Sequence, residues 1–394
     1  MSGLESIIGQ LIVEFGYSRT IYPEIAKYIG NFTDKVPFSI SEISAYALIG
    51  AAVAIPSYYG IKKLYKTLKR RKENDTLHFH DIFIDYKESF RRAKYRTIDA
   101  VKRFGYNIKY HTKQTFRRIG LRAAKTVGVL VLSATILAGI GAGTVLAYEG
   151  VYGLNYYRVP IEEKLNLQLE APSQNTLIMF AYHLAYNINE DMYLKDKEPS
   201  FTPFEIGGII NKGVDDIIYS IDGIKVNSSH RVKTAFLREI FTFMRADAYT
   251  NPLIHEIVYD DRQQEYNMGF DAGHEISQLK GYPKENEADF IGYLACMNSG
   301  YAQIRLGAER KLFIIALNYI DSKQIRALLN NRLSLKAKEN FDRDNRLASE
   351  KIEKSNKTWN ELYDDSLKAQ GIPEGIENYN KVLLDVLAYE YVKN

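Results

Sequence analysis

Leu4, Ile7, Ile8, Leu11, Ile12 and Phe15 recur at three- and four-residue spacing and fall on one helical face. That is the pattern of a helix lying in a membrane interface, and residues 1–40 are read as such a segment. The opening has neither the basic start nor the small-residue cleavage site of a signal peptide. Two stretches then lose charge altogether. Ile43–Ile61 runs for 19 residues and Thr126–Tyr148 for 23, against the roughly 20 apolar residues that cross a hydrocarbon core as helix. Transmembrane helices are therefore expected at 41–61 and 126–148. Pro56 in the first is tolerated more readily in a membrane helix than in a soluble one.

Beyond residue 149 the apolar positions return at helical spacing. They predict helices over 174–189, 228–246, 268–280, 285–299, 303–320, 322–356 and 376–392. Short alternating runs near 217–226, with Asp222-Gly223 as a hairpin turn, and near 254–259 predict a little sheet. The expected fold is mainly α: two transmembrane helices and a mostly helical outer domain over 149–394 with little β.

Charge decides the orientation. Residues 62–125 hold 20 Lys/Arg against 6 Asp/Glu, whereas 152–394 hold 29 against 36. The flanks at 62–72 and 109–125 carry seven and six Lys/Arg, and those at 24–42 and 149–168 carry two each. The positive-inside rule places 62–125 in the cytoplasm as a basic helical loop, with the N-terminus and the 149–394 domain outside. The periodic spacing of the loop's basic residues fits helices on an anionic inner leaflet. That reading is preferred to a nucleic-acid patch, so no nucleic-acid partner is expected.

The single cysteine, Cys296, excludes an internal disulfide framework and a cysteine-rich zinc cluster. Nucleophile elbows, phosphate loops and C-x-x-C pairs are absent from the sequence. One constellation remains, GHEISQLKGYPKENEADF at 273–290. On a helix ended by Gly281-Tyr282-Pro283, His274 and position 278 lie one turn apart on the same face. That spacing lets two imidazoles grip one zinc while a glutamate beside the first acts on a bound water. Position 278, however, is glutamine. After the turn Glu285 and Asp289 are again i and i+4. A carboxylate on that helix can supply a third ligand, and an aspartate can orient a ligating histidine. His255, His183, His230 and Asp271 are further donors that spacing does not select among.

The stretch from His274 through Leu294-Ala295-Cys296 resembles the H-E-x-x-H-Q-x-G, then E-x-E-A-N-F, signature of a bacterial family of membrane zinc-metallopeptidase-like proteins. That family is known as domain of unknown function 3810. Four further blocks resemble it in order: VEFGYSRTIYPEI with VPFSISEI before the first uncharged stretch, GLNYYRVPI after the second, YTNPLIHE at 249–256, and WNELYDDSLKAQGIPEGIENYNKVLLDVLAYE at 359–390. The resemblance implies a zincin-like outer domain, with His274 as first zinc histidine and Glu275 as general base. Gln278 then stands in the second-histidine position. Glu285 or Glu287 would be the acidic ligand, Glu285 being favoured, with Asp289 behind the site. Glu256 matches a glutamate upstream, where the family's P-F-T-G-E has become Pro252-Leu253-Ile254-His255-Glu256.

A neutral amide is a far weaker zinc donor than imidazole. The expectation is a two-pass protein of the bacterial cell membrane whose metallopeptidase-like outer domain has altered or lost catalysis, holds zinc weakly or not at all, and binds a peptide or protein. The alternative is an active peptidase with a nonstandard further ligand.

Overall fold

A computed structural model describes residues 2–36, 39–44, 148, 150–236, 238–354 and 380–393, with isolated positions between 361 and 372. The chain divides into two compact units, residues 1–44 with 145–394, and residues 45–144. The second unit lies outside the described residues, and with it the basic loop and all of the expected spans but residues 41–44 and 148. Among the described residues no helix is long and apolar enough to cross a membrane.

The first unit is mainly helical, with one small sheet. It opens with α1 (Ser2–Leu11), a π-helical segment (Ile12–Ser18) and α2 (Ile21–Thr33). After the gap come a 3-10 turn at Gly153–Tyr157, the short α3 (Ile161–Lys164), α4 (Gln174–Leu194) and α5 (Pro203–Asp222). Then follow β1 (Val232–Thr234), α6 (Arg238–Met244), β2 (Ala248–Asn251) and β3 (Glu256–Tyr259). The helices α7 (Met268–Leu279), α8 (Glu285–Met297), α9 (Ala302–Tyr319), α10 (Lys323–Arg332), α11 (Leu335–Lys354) and α12 (Val382–Lys393) complete the unit. The strand order is β1-β3-β2, with β1 parallel and β2 antiparallel to β3, so that Thr250 faces Ile257 and Val232 also pairs Ile257.

Three expectations fail, each for a physical reason. The run at 217–226 is the end of α5, not a hairpin. Thr202 and Glu205 form a reciprocal capping box, Pro203 occupies the first turn, and Gly223 at φ 71° closes the helix in the left-handed region. Ile206, Ile210, Val214, Ile217 and Ile218 of α5 are buried in one core, so the isoleucines that look strand-like serve a helical stripe. The expected helix at 228–246 is instead β1 and α6, because Val232–Thr234 adds to the sheet beside β3. The expected helix at 322–356 is two, interrupted where Ser334 caps the second by accepting from the Ala337 N–H at 3.2 Å.

The N-terminal segment is part of the domain core rather than a separate layer. Tyr22 and Ala26 of α2 are fully buried, and the Tyr22 hydroxyl donates to the Leu279 carbonyl at 3.0 Å, at the end of α7.

Helices α7 and α8 cross in backbone contact. A Cβ on Gly273 would stand 2.8 Å from Gly292 Cα, and relief there requires the backbone to move. Gly273→Ala is expected to destabilise the unit by about 1–3 kcal/mol, the usual cost of overpacking. The measurement is the melting temperature of the full chain in detergent, and an unchanged value would show that the two helices part freely.

Candidate functional site

The Gly281 turn, at φ 95°, folds α8 back along α7 and brings the two i, i+4 pairs together. His274 Nδ1 lies 2.7 Å from Asp289 Oδ1, and His274 Nε2 lies 3.0 Å from Glu285 Oε2. The Gln278 amide nitrogen donates to Glu285 Oε2 at 3.2 Å. It also approaches His274 Nε2 at 3.0 Å, a hydrogen bond only when that ring nitrogen is unprotonated. All four side chains expected at the centre of the motif therefore meet at one point.

Burial pulls the His274 imidazole down, but Asp289 and then Glu285 outweigh it and hold its pKa well above the usual histidine range. Two carboxylates accepting from one ring stabilise the imidazolium, with both N–H groups satisfied. Glu275 points elsewhere on α7. Burial raises its pKa to about 7, the His274 charge lowers it, Glu285 raises it, and the Thr250 hydroxyl lowers it. Its Oε2 is buried without a partner. One turn earlier on α7, burial of the Asp271 carboxyl together with Asp247 pushes its pKa well above the ordinary range.

Two expected site residues are placed elsewhere. Glu287 accepts from the Ile161 N–H at 3.1 Å, at the first turn of α3. Glu256 pairs with buried Lys233 at 2.8 Å and accepts from Ser39 Oγ, Ile40 N and Ser41 N. It thus caps the helical turn at residues 40–44, where the chain enters the first uncharged stretch, rather than supporting His274.

The further histidines do not complete a donor set either. His183 is exposed on α4. His230 and His255 are buried and stacked on each other at 5.8 Å, and His255 also lies against Tyr22 at 5.8 Å. His255 sits at φ 50°, the left-handed region that glycine adopts without penalty, which is a physical reason for the glycine of the resembling motif.

Neither ring nitrogen of His255 has a hydrogen-bond partner. Burial, then the Lys280 charge, lowers its pKa from 6.5 to about 4. The folded state therefore disfavours the proton that the unfolded chain accepts near pH 6.5. The associated stability is present above that pH and is lost as pH falls through about 4, amounting to about 3 kcal/mol. His255→Gly is expected to flatten the melting-temperature profile between pH 6.5 and 4, whereas an unchanged profile would put the acid sensitivity elsewhere.

What the motif reading missed is the charge network beneath the turn. Arg158 is fully buried. It donates to the Gly281 carbonyl at 2.7 Å, to Glu14 at 2.9 and 3.1 Å, and to Asp222 at 2.6 Å. Lys164 reaches Glu14 at 2.6 Å and Asp222 at 3.0 Å, and the Tyr282 hydroxyl donates to Asp222 at 2.7 Å. The nearest signal was the lone arginine of GLNYYRVPI, which periodicity alone leaves without a partner.

The donor set does not fit zinc as it stands. His274 Nε2 and Glu285 Oε2 are two good donors already joined by a proton. The third corner presents a neutral amide, a far weaker zinc donor than imidazole, and its nitrogen is engaged with Glu285. Among the described residues no group of three or more His, Cys, Asp or Glu is arranged to hold a metal ion.

A family model described as "Protein of unknown function (DUF3810)" matches residues 104–385, well over half of the chain. No curated protein matches, and no solved structure matches.

Proposed function

The chain belongs to the DUF3810 family of proteins of unknown function, and from that premise we propose a membrane-anchored, metallopeptidase-like protein whose outer domain binds peptide or protein segments without zinc-dependent hydrolysis. The observation that carries this reading is the Gln278 amide, bonded to Glu285 and set against His274 where a second imidazole would grip a metal. Hydrogen bonds then hold the two helices together as a metal would.

One feature supports peptide binding, and a second the membrane anchor. Among the described residues strand β2 pairs with β3 alone in its sheet, and it packs along α7. An extended segment adding to the outer edge of β2 would gain main-chain hydrogen bonds. The two uncharged stretches and their basic flanks support a two-pass anchor with this domain outside and the basic loop on an anionic inner leaflet.

The Glu275 pKa of about 7 favours a second reading, because a general base works best when poised near ambient pH. One experiment separates the two. The full chain is purified in detergent without chelators, beside His274→Ala and Glu275→Gln. Metal content and hydrolysis of a peptide library are then measured. We expect no zinc above the His274→Ala level and no hydrolysis that depends on Glu275. Stoichiometric zinc that His274→Ala removes, with peptide cleavage abolished in Glu275→Gln, would overturn the proposal in favour of an active peptidase.

A further inference from the structure

The amphipathicity of the N-terminal helical segment is inverted. Among the described side chains, its Glu14 and Ser18 face inward, 1% and 2% exposed. Glu14 is held by Arg158, Lys164 and Arg19, and Ser18 donates to Asn155 Oδ1 at 2.7 Å. Its large apolar side chains face outward, with Ile7 54% exposed, Ile8 48%, Leu11 45%, Ile12 65% and Phe15 55%. None of the exposed residues from Ile7 to Gly16 is charged. Water would favour the opposite arrangement, because apolar surface gains by leaving it and ionic groups gain by meeting it.

We propose that this outward face of α1 and the π-helical segment is embedded in the lipid surface, at the boundary of headgroups and acyl chains. A charged soluble partner would find no complementary group on the exposed arc. A lipid surface asks only for apolar area, and a helix lying in it buries one face in that boundary layer.

The place of the face in the chain agrees. The Tyr17 hydroxyl donates to the Val151 carbonyl, and the π-helical segment packs on Gly153–Tyr157. These residues directly follow the uncharged stretch that ends at Tyr148. Exposed Tyr157 adds a side chain of the kind that gathers at membrane interfaces. At the other end the chain runs from the turn at residues 40–44 into the uncharged stretch that starts at Ile43. The polar face is tied through Arg158 to the Gly281 carbonyl, so an embedded face would fix the height and tilt of the α7–α8 turn over the bilayer.

The inference rests on the two-pass anchor and is independent of the metal reading. Its test uses the full chain in phosphatidylcholine vesicles. Leu11→Cys carries a fluorophore, the native Cys296 being buried, and Leu335→Cys on α11, 74% exposed, is the aqueous reference. We expect nitroxide-labelled acyl chains to quench the label at 11 and not at 335, and aqueous iodide to quench it several-fold less at 11 than at 335. Ile8→Cys on the same face should repeat the result if Leu11→Cys misfolds. Iodide quenching at 11 as strong as at 335 would overturn the inference. So would thiol cross-linking of two Leu11→Cys chains that resists dilution in lipid, which would make a second copy the occupant. An alkaline carbonate wash distinguishes the underlying reading, because a chain stripped from vesicles has no two-pass anchor.

Discussion

A Gln278→His chain is expected to bind one zinc ion where the native chain binds none. The substitution places two imidazoles one helical turn apart on α7, facing Glu285 across the α7–α8 turn. His274 is already oriented by Asp289 at 2.7 Å, the outer-shell contact that fixes a ligating histidine. Zinc needs ligand atoms about 2.0–2.2 Å away in a tetrahedron, so His274 and Glu285 must separate slightly from their present 3.0 Å contact. The metal displaces the proton that now bridges them. Uptake should therefore release protons and weaken as pH falls. With free zinc at about 100 times the dissociation constant, binding adds about 2.7 kcal/mol to the stability of the folded state, a clear rise in melting temperature. The checks are zinc stoichiometry and melting of the full chain with and without zinc. If Gln278→His stays empty, the α7–α8 turn does not hold metal geometry, and the proposed likeness to metallopeptidases fails.

Arg158→Ala is expected to be the most damaging single substitution in the unit, at about 3–5 kcal/mol. The guanidinium is 1% exposed and pairs with Glu14 and Asp222. It also stacks on the Tyr282 ring at 4.1 Å. Removal leaves two buried carboxylates with only Lys164 and partly exposed Arg19 to compensate, and an orphaned Gly281 carbonyl in the turn that sets the site. Adding Glu14→Gln to Arg158→Ala should restore part of the loss, because the second change removes one stranded charge.

The pH profile supplies an independent check. Burial raises the Glu14 pKa, but Arg158 and Lys164 outweigh it and hold it at about 2, below the ordinary 4.5. For a depressed carboxylate, the stability it contributes is present above pH 4.5 and is lost as pH falls through about 2. Arg158→Ala should shrink that acid limb, while His255→Gly acts on the higher window between pH 6.5 and 4. A mild effect of Arg158→Ala with an unchanged acid limb would show that Lys164 and Arg19 carry the network.

Much of the site was legible because its geometry is local. His274 to Gln278 and Glu285 to Asp289 are one-turn spacings, and Gly281-Tyr282-Pro283 ends the first helix. Sequence by itself therefore marked the two helices, the fold-back between them, and the approach of His274 and Gln278 to the acidic start of the second helix, whereas the choice of Glu285 over Glu287 came from the structure. It also marked the uncharged stretches and the apolar face from Ile7 to Phe15. Tertiary structure alone decided that this face points outward while Glu14 is buried, since the partner of Glu14 is Arg158, 144 residues away. It assigned Glu256 to the turn at 40–44 and Glu287 to α3, and it drew Val232–Thr234 out of an expected helix into a sheet. The physical reason is one of range. Helical periodicity reports which residues share a face, but the partner of a buried charge, or the strand beside a strand, is set by packing between segments distant in the chain.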